Sequence, residues 1–167
     1  MASFEFLAII LTGLGLTVSV LYYTTVLQNA NKTRQAQLFM NLYDTYHSPE
    51  FRKKWHDLMR REWTDIEDWQ RKYGKTSEDL ADYTSMLSFF NGIGVLLHRK
   101  LIEIEMVADL LSVNIRGFWN QYKSTVYWTR EVIDEPELYY YTEYLYNEII
   151  KKHDKIPDLS KLVYRET

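Results

Sequence analysis

The sequence predicts an all-α protein in which an N-terminal transmembrane helix continues into a cytoplasmic helical bundle of about five to seven helices. Three observations carry that reading. Between Phe6 and Leu27 there is no Asp, Glu, Lys, Arg or His. Beyond it, apolar residues recur at spacings of three and four, the period of a helix with one buried face. Nowhere does a convincing period-two alternation mark a strand, and no repeat of fixed length is present.

The run FLAIILTGLGLTVSVLYYTTVL reaches about 33 Å at a helical rise of ~1.5 Å per residue, against a hydrocarbon core of about 30 Å. A cleaved secretory signal fits it poorly. MASFEF carries a Glu and no cation, and Val20 to Leu27 runs through large side chains where a small-residue cleavage site would sit. A buried core helix would be shorter and would show a polar face, which Thr12, Thr17, Ser19, Thr24 and Thr25 do not form. Cations follow the run (Lys32, Arg34, then Arg52, Lys53 and Lys54) and none precedes it, so the N-terminus is expected outside the cell membrane and the helical domain in the cytoplasm. Tyr22 and Tyr23 lie near the cytoplasmic interface. Lys32 and Arg34 are candidate headgroup contacts, and Gly15 and Ser19, four apart, are a candidate span-packing face.

Residues 1–30 are therefore expected to be the anchor, 31–152 the bundle and 153–167 a polar C-terminal tail. Removing the anchor from 167 residues leaves enough chain for one domain with its own core. The balance of 20 basic and 23 acidic residues gives a net charge of -3, which offers no case for nucleic-acid binding. Cysteine is absent, excluding disulfides, thiolate metal sites and thiol nucleophiles. The 14 Tyr, 7 Phe and 5 Trp suit both a compact helical core and contact surfaces.

No proline interrupts the chain before Pro49, and Leu38, Phe39, Leu42, Tyr43 and Tyr46 keep helical spacing, so the anchor helix is expected to run on to about Tyr46. A hinge at Asn29 to Asn31 is the alternative. Ser48-Pro49-Glu50 reads as an N-cap, a first-position proline and an acidic first turn. The helix they open has Phe51, Trp55, Leu58 and Met59 inside and Arg52, Lys53, Lys54, Arg60 and Arg61 outside. Thr64 or Asp65 caps a short helix that Gly74 ends. Thr76 to Asp79 start the central helix, with a stripe through Leu80, Tyr83, Leu87, Phe90, Gly94, Leu97 and Leu101. Tyr83 to Leu97 is uncharged, so a membrane-dipping segment is an alternative, although it is short for a span. Gly92 and Gly94 are expected to permit close helix approach, and Asn91 to need a partner. His98-Arg99-Lys100 complements this helix's dipole. A further helix is expected from Glu103, breaking near Ser112 to Arg116 and resuming with Phe118, Trp119, Tyr122, Val126 and Ile133 on one face. Asp134-Glu135-Pro136 is expected to cap a last helix, with Leu138, Tyr141, Leu145 and Ile149 inward.

Taken in order, NANKTRQAQLFMNLYDTY, SPEF, REW, FFNGIGVLLHRKLI and VADLLS after an N-terminal span resemble a family of small prokaryotic membrane-anchored helical proteins, classified only as a domain of unknown function. The resemblance runs from the span to about Ile150. It implies a single-pass anchor with a compact helical domain and carries over no catalytic residue.

The chain holds no phosphate-binding loop, dinucleotide fingerprint, zinc-protease helix or nucleophile elbow. Asp44-x-x-His47 is the nearest approach to a metal-binding spacing, and its simpler reading is a local hydrogen bond at a helix end. No catalytic, metal or cofactor site is expected. The sequence points to an interaction module held at the lipid bilayer, with a protein partner or a homo-oligomer formed through span or bundle, and Tyr139, Tyr140, Tyr144 and Tyr146 as candidate partner surface. A membrane-associated enzyme or metal-binding helical protein is the alternative.

Overall fold

The computed structural model describes residues 2–153 and contains six helices and no strand among them. They are α1 (Ala2–His47), α2 (Pro49–Met59), α3 (Ile66–Tyr73), α4 (Ser77–His98), α5 (Ile104–Ile133) and α6 (Tyr140–His153). The expected tail from 154 onward lies outside the described residues. The chain divides into two compact units, Met1–Met40 and Asn41–Thr167.

The first unit is helix alone. α1 is unbroken at Asn29 to Asn31, and its apolar side chains are exposed from Phe4 to Leu27. Gly13 and Gly15 have open space around them.

The second unit begins with the last turns of α1, where Tyr46 is fully buried. Its ring lies 5.4 Å from Phe51, 6.1 Å from Trp55 and 6.1 Å from Phe89. Ser48 caps α2 as expected, its Oγ accepting from the Phe51 N–H at 3.3 Å, with Pro49 in the first turn. Asp65 caps α3 through Asp68 N–H at 2.8 Å, and Gly74 closes it. Thr76 caps α4 through Asp79 N–H at 3.1 Å.

α4 is the core helix, burying Tyr83, Met86, Leu87, Phe90, Ile93, Gly94 and Leu97. Its most extensive packing is against α6, which also packs along α5. α6 runs antiparallel to α5: Glu143 near its start meets Tyr127 and Arg130, and Lys152 near its end meets Glu105. A string of rings, Trp55, Phe90, Phe118, Tyr122, Tyr83 and Trp69, crosses the core with each neighbouring pair 4.8–6.2 Å apart. Such rings bury large apolar areas and interlock edge to face.

Five expectations are corrected. α5 does not break at Ser112 to Arg116. Val107, Leu111, Ile115, Phe118 and Tyr122 are buried at spacings of four and three, and this continuous seam holds the helix through residues that are only weak formers. Asp134 does not cap the last helix; it closes α5 in the left-handed conformation (φ 55°), which Asp tolerates better than most residues, and α6 starts at Tyr140. The α4 stripe stops at Leu97. Lys100 takes a left-handed turn, after which Leu101 is 45% exposed and Ile102 is buried in its place. Arg61 lies beyond the end of α2 and escapes that helix's periodicity. Its side chain is 9% exposed, reaching Asp79 at 2.6 Å. Of the two glycines, only Gly94 serves a close approach: a Cβ there would overlap the Tyr141 carbonyl, whereas Gly92 faces open space.

Candidate functional site

Two regions could carry function, one in each unit. In the first, the side chains of Phe6 to Leu27 point outward all round the helix, with Leu16 70% and Leu27 64% exposed. The hydroxyls along this stretch are satisfied within the helix. Thr12 donates to Ala8 O at 2.8 Å, Thr17 to Gly13 O at 2.9 Å, Ser19 to Gly15 O at 2.8 Å, Thr24 to Val20 O at 2.7 Å and Thr25 to Leu21 O at 2.9 Å. The backbone is satisfied by the helix itself, so the stretch asks for no hydrogen bond from outside apart from the Tyr22 and Tyr23 phenols near its end. α1 is long and apolar enough to cross a membrane. α4 also passes on length and composition, but its apolar side is packed inside the bundle. Gly15 and Ser19 sit four apart on the exposed surface of α1, and Lys32 and Arg34 are exposed beyond the apolar run.

In the second unit a recess of about 640 Å³ is lined by Met59, Arg61, Glu62, Trp63, Thr64, Lys72 and Gln121. Its polar groups hold the fold. Gln121 Nε2 donates to Leu58 O at 3.2 Å and Arg61 O at 3.0 Å, and Tyr122 Oη donates to Leu58 O at 2.8 Å, so α5 caps the carbonyl end of α2. Lys72 binds Asp68 at 2.7 Å and Glu62 O at 3.1 Å, and Arg71 also reaches Asp68. The Lys72 hydrogen bond, assisted by Thr64 N–H and Arg71, holds the buried Asp68 carboxyl below its ordinary 3.8. Burial pushes the Tyr83 and Tyr122 phenols well above the usual tyrosine range. Neither is paired with a base, so neither is an activated nucleophile.

His47 lies on the Tyr43 carbonyl at 3.0 Å and Asp44 is exposed, an arrangement local to the end of α1. Among the described residues no three His, Asp or Glu are grouped to hold a metal ion.

The tyrosines chosen from the sequence do not share one surface. Tyr144 lies edge-on to His98 of α4 at 5.3 Å, and Tyr146 reaches the other way, its Oη donating to Asn120 of α5 at 3.2 Å. Tyr139 is half-buried with a left-handed backbone (φ 54°). Tyr140 is 50% exposed and shares the α5–α6 end of the bundle with exposed Val132 and Ile133. Sequence reasoning missed Val132 and Ile133 as surface residues because Ile133 continued the apolar spacing of α5. The left-handed Asp134 ends the helix before that spacing can bury it.

An apolar helix that satisfies its own polar groups, joined in sequence to a helical bundle with an aromatic core, defines the class of this protein. The chain belongs to the family described as a domain of unknown function (DUF4760), whose model matches residues 5–149. No curated protein and no solved structure matches it.

Proposed function

We propose that this protein is a membrane-anchored, non-catalytic interaction module. Its α1 run from Phe6 to Leu27 crosses the cell membrane once, with the N-terminus outside and the helical bundle in the cytoplasm. The observation that carries the reading is the exposed run whose hydroxyls are bound to carbonyls of their own helix. In water that surface is strongly unfavourable; in hydrocarbon it is what a spanning helix requires. Lys32 and Arg34 then meet the cytoplasmic headgroups, and Gly15 with Ser19 offers a narrow strip for a second span.

The bundle exposes Tyr140, Val132 and Ile133 at its α5–α6 end, aromatic and branched-apolar side chains of the kind that anchor protein contacts. In the recess beside Trp63, Arg61, Lys72 and Gln121 are bound to Asp79, Asp68 and the carbonyl end of α2, which supports docking over turnover. Two measurements test this. Alkaline extraction of native membranes should leave the chain in the lipid pellet, and release into the supernatant overturns the anchor. Purification in mild detergent should recover a stoichiometric protein partner or a homo-oligomer that Tyr140→Ala weakens at unchanged helicity. Recovery as a lone monomer with bound metal or a turnover activity overturns the module.

A further inference from the structure

One strip of α5 has no cover among the described residues. The first half of the helix buries Val107, Leu111, Ile115 and Phe118 on its inner side. On another side Leu110 is 46% and Val113 71% exposed, with half-buried Met106 a turn before them and half-buried Gly117 a turn beyond. These four residues follow one another at spacings of four, three and four, the repeat with which helices meet side by side.

The strip carries one acid and one cation on the same flank, and neither is used by the bundle. Asp109 is exposed and makes no ion pair or hydrogen bond among the described residues. Glu105, one turn earlier, is by contrast bound to Lys152 of α6 at 2.6 Å. Arg116 is half-buried, and its buried Nε has no hydrogen-bond partner. Asp109 and Arg116 are seven residues apart, so they hold the same position in the repeat.

An acid, an apolar centre and a cation in that order make the strip complementary to itself. Turned end for end, a second copy sets its Leu110 against Val113 of the first and its Met106 against Gly117. There the missing side chain leaves room, and Met59 lies 3.6 Å from where a Cβ would be. The same alignment brings Asp109 opposite the copy's Arg116, and a two-fold axis makes that contact twice. Sliding the pair by one repeat sets Asp109 against Asp109 or Arg116 against Arg116, so the two charges select a single register.

We propose that α5 pairs antiparallel with α5 of a second copy of this chain through Met106, Leu110, Val113 and Gly117, each Asp109 bound to the other copy's Arg116. This rests on the module reading above and makes the chain its own partner. The contact lies within the second unit and stops short of Val132 and Ile133, leaving the Tyr140 end of the bundle free. So short a seam makes a reversible pair, which crosslinking captures where purification loses it.

The chain has no cysteine, so introduced thiols are unambiguous. Two differently tagged full-length copies are produced in the same cells, one with Leu110→Cys and the other with Val113→Cys, and their membranes are oxidised with copper–phenanthroline. A disulfide needs Cβ atoms about 4 Å apart, so the mixed disulfide should exceed either copy's disulfide with itself. Ala81→Cys, exposed on α4, should give only background. Asp109→Arg in both copies, or Arg116→Asp in both, should cut the mixed disulfide severalfold by setting like charges face to face. Asp109→Arg in one copy with Arg116→Asp in the other should restore it, a rescue that damage to the fold would not give. Like disulfides in place of the mixed one mean a parallel pair and overturn the proposal, as does a mixed disulfide indifferent to both reversals. If no disulfide forms and the thiols at 110 and 113 are shielded from a soluble maleimide, residues 154–167 or another protein cover the strip, and the proposal falls. If no disulfide forms while a partner still co-purifies, this inference fails and the module stands; if neither is found, both fail.

Discussion

At the scale of single residues, paired substitutions separate packing from propensity. Gly94→Ala would push a methyl group into the Tyr141 backbone on the most extensive helix contact and should cost about 1–3 kcal/mol or more. Gly92→Ala, two positions away, meets nothing within 4 Å and should gain roughly 0.5–1 kcal/mol from helix propensity. The tyrosines make a second pair. Tyr122→Phe removes a hydroxyl bound to Leu58 O and should cost about 1 kcal/mol. Tyr83→Phe removes a buried hydroxyl with no partner among the described residues and should be neutral or stabilising. Urea unfolding midpoints of the four variants decide both comparisons, and equal effects within either pair would contradict the packing described. Asp68 supplies a pH signature. Its folded pKa lies below 3.8, so its contribution is present above that value and fades as pH falls through the folded value. The stability gap between wild type and Asp68→Asn should be constant near neutrality and shrink below about pH 4, a range set by the ordinary carboxylate value. A gap independent of pH would mean that Lys72 and Arg71 do not hold the ionised form.

At the scale of elements, what could be read from the sequence and what could not divide along physical lines. Starts were legible at Ser48, Asp65 and Thr76, because an N-cap is a local contract between one side chain and a backbone N–H two or three residues on. Ends were less so. Lys100, Asp134 and Tyr139 take left-handed turns without glycine, and of the three only Asp134 is of a residue type that favours that conformation. The break expected near Ser112 to Arg116 is absent because the propensity deficits of Ser112, Val113 and Asn114, fractions of a kcal/mol each, lose to a buried seam several times larger. Apolar spacing could not tell that Leu101, Leu110 and Val113 are exposed, since the same period describes a buried face and an exposed one. The charge-free run of α1 was the clearest signal and the tyrosine surface the poorest, because a helix surrounded by tyrosines does not reveal which ones meet α4 and which α5. Replacing Asp134 by glycine should relieve its strain and raise stability by about 1 kcal/mol, readable as a higher thermal midpoint, if the left-handed cap is real. A fragment starting at Asn31 should fold, because it retains every turn of α1 that belongs to the second unit. One starting after Leu42 keeps Tyr46 without the preceding turn needed to hold it helical, and should lose its cooperative unfolding transition. A stable bundle from the shorter fragment would show that α1 contributes nothing to the core.

At the scale of the whole molecule, the argument turns on where charge falls along the chain. A span has no intrinsic direction; the cations beside it set one. Lys32 and Arg34 follow the run closely and no Lys or Arg precedes it, which is the asymmetry behind the proposed cytoplasmic side for the bundle. Two close cations make a modest bias, so the direction should respond to a modest change. Protease added to sealed inside-out vesicles should digest the bundle, and protease added to intact cells should spare it. Lys32→Glu with Arg34→Glu, combined with two lysines placed before Phe6, should reverse the pattern in a measurable fraction of the molecules while leaving alkaline extraction unchanged. Digestion from outside intact cells in the wild-type chain would put the bundle on the far side of the membrane, and with it every partner that Tyr140, Val132 and Ile133 could meet.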